Sequence, residues 1–215
     1  MADLPVVLCY GDSNTHGAEP LTGARFARDI RWPGVLARLL DGEAVVIEEG
    51  LNGRTTVRED PYMPGRNGLA YLGPCLLSHA PLDVVVIMLG TNDLKTTFGL
   101  AATDIASGAA SLVRAALLSV CGPEGGPPQV LLVAPPALGA PSDVFELWGF
   151  AGAAERSAAL PRLYRTAAER SGVAFLDASA IVAGDPADGV HLSAAGHHVL
   201  ASAVANAVRP LLRGR

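Results

Sequence analysis

The feature that most constrains the fold is the apolar run Val84–Leu89, which reads Val-Val-Val-Ile-Met-Leu. It has no polar position on either face, as expected for a central strand of a parallel sheet covered on both sides. Other short apolar runs recur along the chain. The strands are therefore predicted at Val6–Tyr10, Ala44–Glu49, Val84–Leu89, Val130–Ala134 and Val173–Leu176.

Helical patterns separate these strands. They are predicted at Trp32–Leu40, Leu69–His79, Thr103–Val120, Ala153–Ser171 and Ala194–Leu212, with Ser193 as the N-cap of the last helix. Repeated strand–helix units give right-handed crossovers and a parallel sheet. We predict a three-layer α/β/α sandwich with a flavodoxin-like five-stranded sheet in the order 2-1-3-4-5. A chain of 215 residues fits one domain, residues 1–215.

Composition argues against several function classes. A nucleic-acid partner is not expected, because 21 acidic residues outnumber 16 basic ones and Lys95 is the only lysine. No run approaches the ~20 apolar residues of a membrane span, and the N-terminus shows no basic leader, so we expect no membrane association and a cytoplasmic location. Cys9, Cys75 and Cys121 are expected to be free thiols, since their spacing fits no zinc motif.

Three glycine-bearing polar turns follow the first three predicted strands. They read Gly11-Asp12-Ser13-Asn14-Thr15, Gly50-Leu51-Asn52-Gly53-Arg54 and Gly90-Thr91-Asn92-Asp93. The carboxyl edge of an open α/β sheet is where ligands bind. We therefore expect these turns to meet in one crevice. The segments His16–Arg31, Val57–Gly68 and Ala137–Phe150 are expected on the same edge, at the mouth of a pocket or in an oligomer contact.

A nucleophile and its partners can be assigned from spacing. Ser13 follows the first strand, and a serine nucleophile requires a base that is itself oriented by a third group. Asp188-Gly189-Val190-His191, just before the last helix, supplies both. If this stretch is a helical turn, the two side chains share a face and the carboxylate accepts from the imidazole. The other imidazole nitrogen can then take the Ser13 proton.

Donors for a developing oxyanion are also present. Asn92 ends the most apolar strand with a side-chain amide, and Gly53 lacks a Cβ, so its backbone N–H can approach a ligand closely. Together with the N–H of Ser13, these groups would form an oxyanion hole.

Other interpretations are weaker. His191, His197 and His198 cluster in the sequence, but their spacing does not match a zinc motif, so we expect no metal. Thr15 stands where the nucleophile elbow of α/β hydrolases has glycine, and no dinucleotide or P-loop motif occurs. A non-catalytic alternative is a flavodoxin-like module whose first turn binds a phosphate or a flavin.

Taken together, these residues resemble the SGNH (GDSL) hydrolases. Gly11-Asp12-Ser13, Gly53, Gly90-x-Asn92-Asp93 and Asp188-x-x-His191 match blocks I, II, III and V in order across nearly the whole chain. The resemblance implies a serine esterase with Ser13 as nucleophile, His191 as base and Asp188 as its orienting group. It also implies an oxyanion hole of Ser13, Gly53 and Asn92, and no cofactor.

Two longer stretches, Glu48–Thr56 and Ile87–Lys95, are similar to the bacterial arylesterase/acyltransferase branch. This implies small aryl or short-chain alkyl ester substrates, possible acyl transfer to alcohols or peroxide, and a homo-oligomer. A carbohydrate acetyl esterase or a lysophospholipase on the same scaffold is the alternative. Asp12, Asn14, His16 and Trp148 are predicted to contact substrate, although His16 departs from the tryptophan frequent in that branch. For Phe145, Leu147, Trp148 and Phe150 the alternatives are a groove for a long acyl chain, the core and an oligomer contact, of which we expect the last.

Overall fold

Five parallel strands form the central sheet in a computed structural model that describes residues 4–213. They are β1 (Val6–Gly11), β2 (Val45–Gly50), β3 (Val84–Met88), β4 (Gln129–Ala134) and β5 (Ala174–Asp177). Their order in the sheet is β2-β1-β3-β4-β5, which confirms the predicted topology. Every residue of β3 is buried, as its uniformly apolar sequence predicts.

Helices cover both faces of the sheet and enclose two apolar cores. The described residues contain seven α-helices: α1 (Ser13–His16), α2 (Trp32–Leu39), α3 (Gly68–Ser78), α4 (Ala102–Leu117), α5 (Asp143–Leu147), α6 (Ala154–Ser171) and α7 (Ala194–Arg213). α3, α4 and α6 pack on one face, while α2 and α7 pack on the other. No helix within residues 4–213 is long and apolar enough to cross a membrane.

The predicted helices are confirmed with small shifts at their ends. The largest shift is at α4, which ends at Leu117 rather than Val120, because the side chains of Leu118 and Val120 are exposed and gain no packing from a further turn. Ser193 caps α7 as predicted, accepting from the backbone N–H of Gly196 at 3.1 Å. The short helices α1 and α5 were not predicted, because four or five residues carry no helical period.

The strand order places the opening of the sheet between β1 and β3. The connection after β1 runs to β2 on one side, whereas the connection after β3 runs to β4 on the other side. The two connections therefore diverge. A crevice forms at such a switch point in open α/β sheets. Ser13 and Asn92 follow these two strands and therefore lie at its two walls.

Candidate active site

Ser13 is placed by a sharp change from strand to helix. β1 ends at Gly11, and Ser13 is the first residue of α1. The carboxylate of Asp12 caps this helix by accepting from the backbone N–H of Asn14 at 3.0 Å. Ser13 is consequently 7% exposed, with its hydroxyl at the opening of the crevice.

His191 connects Ser13 to Asp188. Its Nε2 lies 3.1 Å from the Ser13 Oγ, and its Nδ1 lies 2.8 Å from the Asp188 Oδ2. An ionised carboxylate can only accept, so the Nδ1 carries the hydrogen and the Nε2 is left as the acceptor for the serine hydroxyl. The structure thus brings together the three residues that the sequence analysis assigned to a triad.

The turn that carries Asp188 is not helical. The prediction of the contact assumed a helical turn, in which the Asp188 and His191 side chains share one face. Gly189 has φ +75°, and the Asp188 Oδ1 accepts from the backbone N–H groups of Val190 at 2.8 Å and His191 at 2.9 Å. The side chain itself folds the turn and brings the imidazole over the carboxylate. The predicted proximity is therefore produced by a carboxylate-braced turn, a local arrangement that aspartate favours.

The charge of Asp188 is maintained although the residue is fully buried. Burial alone would raise the pKa of Asp188, but hydrogen bonds from the His191 side chain, the backbone of Val190 and His191, and the Leu21 N–H outweigh it and lower the pKa to about 2. The Leu21 bond, 3.0 Å long, comes from the loop that follows α1. Asp188 is therefore an anion at neutral pH and accepts the hydrogen on the His191 Nδ1.

Asn92 and Gly53 face the same crevice. Asn92 begins a single 3-10 turn after β3, and its Nδ2 donates one hydrogen to the Arg54 carbonyl at 3.1 Å, leaving its second hydrogen free. Gly53 has φ +79°, a conformation that favours glycine. Within the described chain, the backbone N–H groups of Ser13 and Gly53 donate to no protein acceptor. Three donors are thus available beside the serine hydroxyl.

Asp93 ties the second turn to the third. It is fully buried, and its carboxylate accepts from the Thr56 backbone N–H at 2.9 Å and from the Thr56 hydroxyl. This contact fixes the segment that carries Gly53 against the segment that carries Asn92. This role of Asp93 was not predicted from the sequence, in which the residue stood only as part of a motif. The sequence feature that indicates such a role is a carboxylate close after the apolar strand, because a buried carboxylate requires a hydrogen-bond partner.

A cavity of about 390 Å³ opens beside the serine. Its wall includes Ser13, Gly53, Asn92 and His191, and its remaining surface is mostly apolar, from Ala18, Leu21, Met63, Trp148, Phe150 and Val190. All three long segments that the sequence placed on this edge contribute to the lining. Such a concave, largely apolar pocket with a few convergent polar groups is typical of a small-molecule site.

Of the four residues predicted to contact substrate, the cavity wall contains only Trp148. Asp12 and Asn14 are 2% and 1% exposed, because their side chains are used inside the protein as a helix cap and in bonds to the chain around His191. The backbone of His16 packs against Gly50, and Arg25 donates to its carbonyl. The side chains of Asp12 and Asn14 therefore support the site from behind.

The aromatic segment is divided between core, cavity and surface. Phe145 and Phe150 are 2% and 1% exposed within the single chain, so the expectation of an oligomer contact is wrong for these two residues. Trp148 and Phe150 line the cavity, and the Trp148 ring meets the His191 ring edge-on at 5.5 Å between centroids. Leu147 is 83% exposed.

The three C-terminal histidines do not converge on one point. His197 is buried, and its Nδ1 accepts from the Trp32 backbone N–H at 3.3 Å. Burial lowers the pKa of His197 to about 4, so it is a neutral core residue. Among residues 4–213, the one cluster of three potential ligands with atoms within 4.8 Å is Glu49, Cys75 and His79, none of which belongs to the site above. All three cysteines are buried free thiols, as predicted.

Comparison with known proteins agrees with this geometry. Residues 9–199 match the model of the GDSL-like lipase/acylhydrolase family. The aryl esterase of M. smegmatis is 42% identical, with a TM-score of 0.91 over 96% of this chain and 99% of that one. Est24, a carbohydrate acetylesterase from Sinorhizobium meliloti, is 39% identical, with a TM-score of 0.91 over the same shares of the two chains.

A putative arylesterase from Agrobacterium tumefaciens is 40% identical, with a TM-score of 0.89 over 97% of this chain and 100% of that one. Comparison with curated proteins gives no match. The family match covers most of the chain and includes every residue of the serine–histidine–aspartate arrangement. The chain therefore belongs to the GDSL-like lipase/acylhydrolase family.

Proposed function

We propose that the protein is a serine esterase that cleaves small carboxylic esters through an acyl-enzyme on Ser13. The observation that carries the proposal is the hydrogen-bonded series from the Ser13 Oγ to the His191 Nε2 at 3.1 Å and from the His191 Nδ1 to Asp188 at 2.8 Å. This series ends at the wall of the cavity, beside three unused donors. That combination is what acyl transfer by a serine requires.

In the first step, the Ser13 Oγ attacks the ester carbonyl carbon while His191 takes the hydroxyl proton. The carbonyl oxygen becomes an oxyanion, which the N–H groups of Ser13 and Gly53 and the Asn92 amide stabilise. The buried Asp188 carboxylate balances the imidazolium charge. The tetrahedral adduct collapses, the C–O bond of the alcohol breaks, and His191 returns its proton to the departing alcohol.

In the second step, water enters from the cavity and reacts with the acyl-serine. His191 takes a proton from this water, and the same donors stabilise the second oxyanion. Collapse breaks the bond to the Ser13 Oγ, the serine recovers its proton from His191, and the carboxylic acid leaves. The residues suffice for both steps, and none of the steps involves a metal or a cofactor.

The cavity favours aryl or short-chain alkyl esters. Its volume of about 390 Å³ and its mostly apolar wall suit a small ester, whereas a palmitoyl chain would need a long groove. The relatives include an aryl esterase and a carbohydrate acetylesterase. The apolar wall, with Leu21, Met63 and Trp148, favours the aryl ester class over a sugar, whose hydroxyls would find few partners there.

We include acyl transfer in the proposal as a second outcome of the same intermediate. A largely apolar wall disfavours water, so an alcohol in dilute solution could compete for the acyl-enzyme. Product partitioning measures this directly: vinyl acetate is supplied in buffer with a primary alcohol, and acetate ester is counted against free acetate. Free acetate alone would restrict the function to hydrolysis.

A homo-oligomer and a cytoplasmic setting belong to the proposal as well. Tyr62 and Leu147, which are 80% and 83% exposed, lie on two segments that border the cavity, and an apolar contact between copies would cover them. Free thiols at Cys9, Cys75 and Cys121 suit a reducing compartment. Sedimentation of the wild type and of Leu147→Asp tests the assembly, since the charged variant should dissociate.

The experiment that tests the function is a panel of p-nitrophenyl esters from acetate to palmitate, with a peracetylated sugar as a further substrate. We expect the highest kcat/KM on the acetate or butyrate ester and loss of turnover in Ser13→Ala. A maximum at palmitate would assign a lipase, and a maximum on the sugar acetate would assign a carbohydrate acetylesterase. No turnover of any ester would reject the proposal.

The phosphate- or flavin-binding alternative has little support at the first turn. The Asp12 carboxylate already accepts from the Asn14 N–H, so one of the donors that a phosphate would use is occupied. A buried carboxylate at this helix terminus would also repel a phosphate group.

A further inference from the structure

The only lysine of the chain lies in the wall of the active-site cavity. Lys95 comes three residues after Asn92 and lines the same cavity as Ser13 and His191. Its side chain is half-buried, and its Nζ lies 5.8 Å from the centroid of the Phe150 ring. A charged group at this position contrasts with the mostly apolar surface around it.

The backbone at Lys95 is held firmly. Its N–H donates to the Asn92 carbonyl at 3.1 Å, which closes the turn that carries Asn92. The Arg156 guanidinium donates to the Leu94 carbonyl at 2.7 Å, and the Thr96 N–H donates to the Gly149 carbonyl at 2.7 Å. The bond between Thr96 and Gly149 joins this turn to the segment that supplies Trp148 and Phe150. The backbone of Lys95 is therefore a fixed part of the cavity wall.

The ammonium group of Lys95 has no hydrogen-bond or ion-pair partner in the part of the chain that the structure describes. The carboxylates of Asp60 and Asp12 act on it electrostatically, without a hydrogen bond to the Nζ. Asp60 accepts from the N–H groups of Tyr62 and Met63, and Asp12 caps α1. Burial lowers the pKa of Lys95, and the two carboxylates oppose this shift.

A partly desolvated cation without a hydrogen-bond or ion-pair partner is unfavourable unless a ligand supplies one. The Phe150 ring, at 5.8 Å, is at the outer limit of a cation–π contact and offers weak compensation. The complement of an ammonium group is an anion, and a carboxylate is the anion that an ester substrate most simply carries. Because Lys95 and Asn92 lie on one turn, that anion would lie a few bonds from the ester carbonyl.

We infer that Lys95 forms an anion-binding subsite and that the preferred substrates are esters that carry a carboxylate near the ester group. The inference rests on the proposed esterase function and specifies its substrate class. Lys95 acts here by binding and orienting the charged end of the substrate, while the chemistry at the carbonyl stays with Ser13 and His191.

The test compares matched charged and neutral esters. Monoethyl succinate, glutarate and adipate carry the carboxylate on the acyl side, and their diethyl esters are the neutral references. On the alcohol side, 4-acetoxybenzoate is compared with its methyl ester. Hydrolysis is followed by pH-stat titration for the wild type, Lys95→Met and Lys95→Arg. Arg114→Met, at an exposed position on α4, changes the net charge equally and is the matched control.

We expect the ratio of kcat/KM for the charged ester to that for its neutral reference to fall about tenfold in Lys95→Met, the size of effect usual for a charge-assisted hydrogen bond. Most of the loss should lie in KM. Lys95→Arg should restore the ratio, Arg114→Met should leave it at the wild-type value, and salt should reduce it in the wild type. The pair of substrates that shows the effect identifies which side of the ester faces Lys95.

Two results would overturn the inference. One is a ratio that is equal in the wild type and Lys95→Met for both substrate pairs. The other is an equal loss on charged and neutral esters, which would place Lys95 in the chemical step. The esterase function stands after either result if the wild type hydrolyses p-nitrophenyl acetate and Ser13→Ala does not. If no ester at all is turned over, it is the proposed function that fails.

Discussion

The side-chain amide of Asn14 is hydrogen-bonded to the backbone on both sides of His191. Its Nδ2 donates to the Val190 carbonyl at 3.2 Å, and its Oδ1 accepts from the Leu192 N–H at 3.0 Å. Because Asn14 directly follows Ser13, this pair of bonds fixes the nucleophile segment to the base segment. Two parts of the chain from opposite ends of the sequence are thereby held at the 3.1 Å separation of Ser13 and His191.

Replacing Asn14 by Ala should therefore affect the reaction as well as the fold. We expect kcat to fall about 10- to 100-fold, because a small displacement of the base weakens proton transfer. Asn14→Asp retains the acceptor for Leu192 but loses the donor to Val190, so its kcat should be intermediate. Burst kinetics on the folded fraction measure this. A lower melting temperature with an unchanged kcat would mean that Asn14 serves stability alone.

Asn92→Ala should lower kcat by about 10²–10³-fold with little change in KM, because its free amide hydrogen serves the oxyanion and not the ground state. Steady-state kinetics with a p-nitrophenyl ester measure the two constants separately. Asn206→Ala, at an exposed position on α7, is the matched control and should retain wild-type kinetics. A change confined to KM would show that Asn92 positions the substrate and does not stabilise the transition state.

Asp188→Asn should lose both activity and acid-dependent stability. The rate should fall by about 10⁴-fold, because an amide cannot hold the imidazole in the required tautomer. In the folded protein the pKa of Asp188 is about 2, below its ordinary value of 3.8, so its stabilisation is complete above about pH 4 and is lost as the pH falls through 2.

Urea unfolding of the wild type and Asp188→Asn between pH 3 and pH 7 follows this contribution. The difference in the free energy of unfolding should be constant above about pH 4 and should shrink as the pH falls below it. A difference that grows toward acid pH would contradict the depressed pKa.

The charge of Asp12 should have the opposite effect on stability to that of Asp188. Burial raises the pKa of Asp12 from 3.8 to about 6, so its ionisation costs stability as the pH rises from 4 to 6. Asparagine caps a helix about as well as aspartate, and Asp12→Asn removes the charge. The variant should gain up to about 3 kcal/mol relative to the wild type between pH 4 and pH 7.

Thermal unfolding across that pH range measures the effect of Asp12→Asn. The exposed substitution Asp41→Asn is the matched control for the loss of one carboxylate. A variant less stable than the wild type at pH 7 would show that the Asp12 charge contributes favourable interactions that outweigh its burial.

The sequence predicted the features that depend on local pattern. The uniformly apolar Val84–Leu89 identified the central strand, and the polar turns after the first three strands identified the crevice. The spacing of Asp188 and His191 predicted their contact, although for a wrong local reason, since the carboxylate itself braces the turn.

The remaining features depend on contacts between distant parts of the chain. Asn14 looked like a substrate contact because it neighbours Ser13, and nothing local reveals that its amide is used by Val190 and Leu192. Lys95 likewise carries no periodic signal, and its place in the cavity follows from the packing of the 142–150 segment against its turn. Side chains that join separate segments become visible only when the fold is known.

The central claim is that Ser13 forms a covalent acyl-enzyme, and labelling with a fluorophosphonate tests it most directly. The reagent reacts with a serine only when a base activates its hydroxyl, so the modified residue is the nucleophile. Mass measurement of the digested wild type should show a single labelled peptide that contains Ser13, and Ser13→Ala should remain folded, unlabelled and inactive. A label on another residue, or undiminished labelling and turnover in Ser13→Ala, would contradict the account.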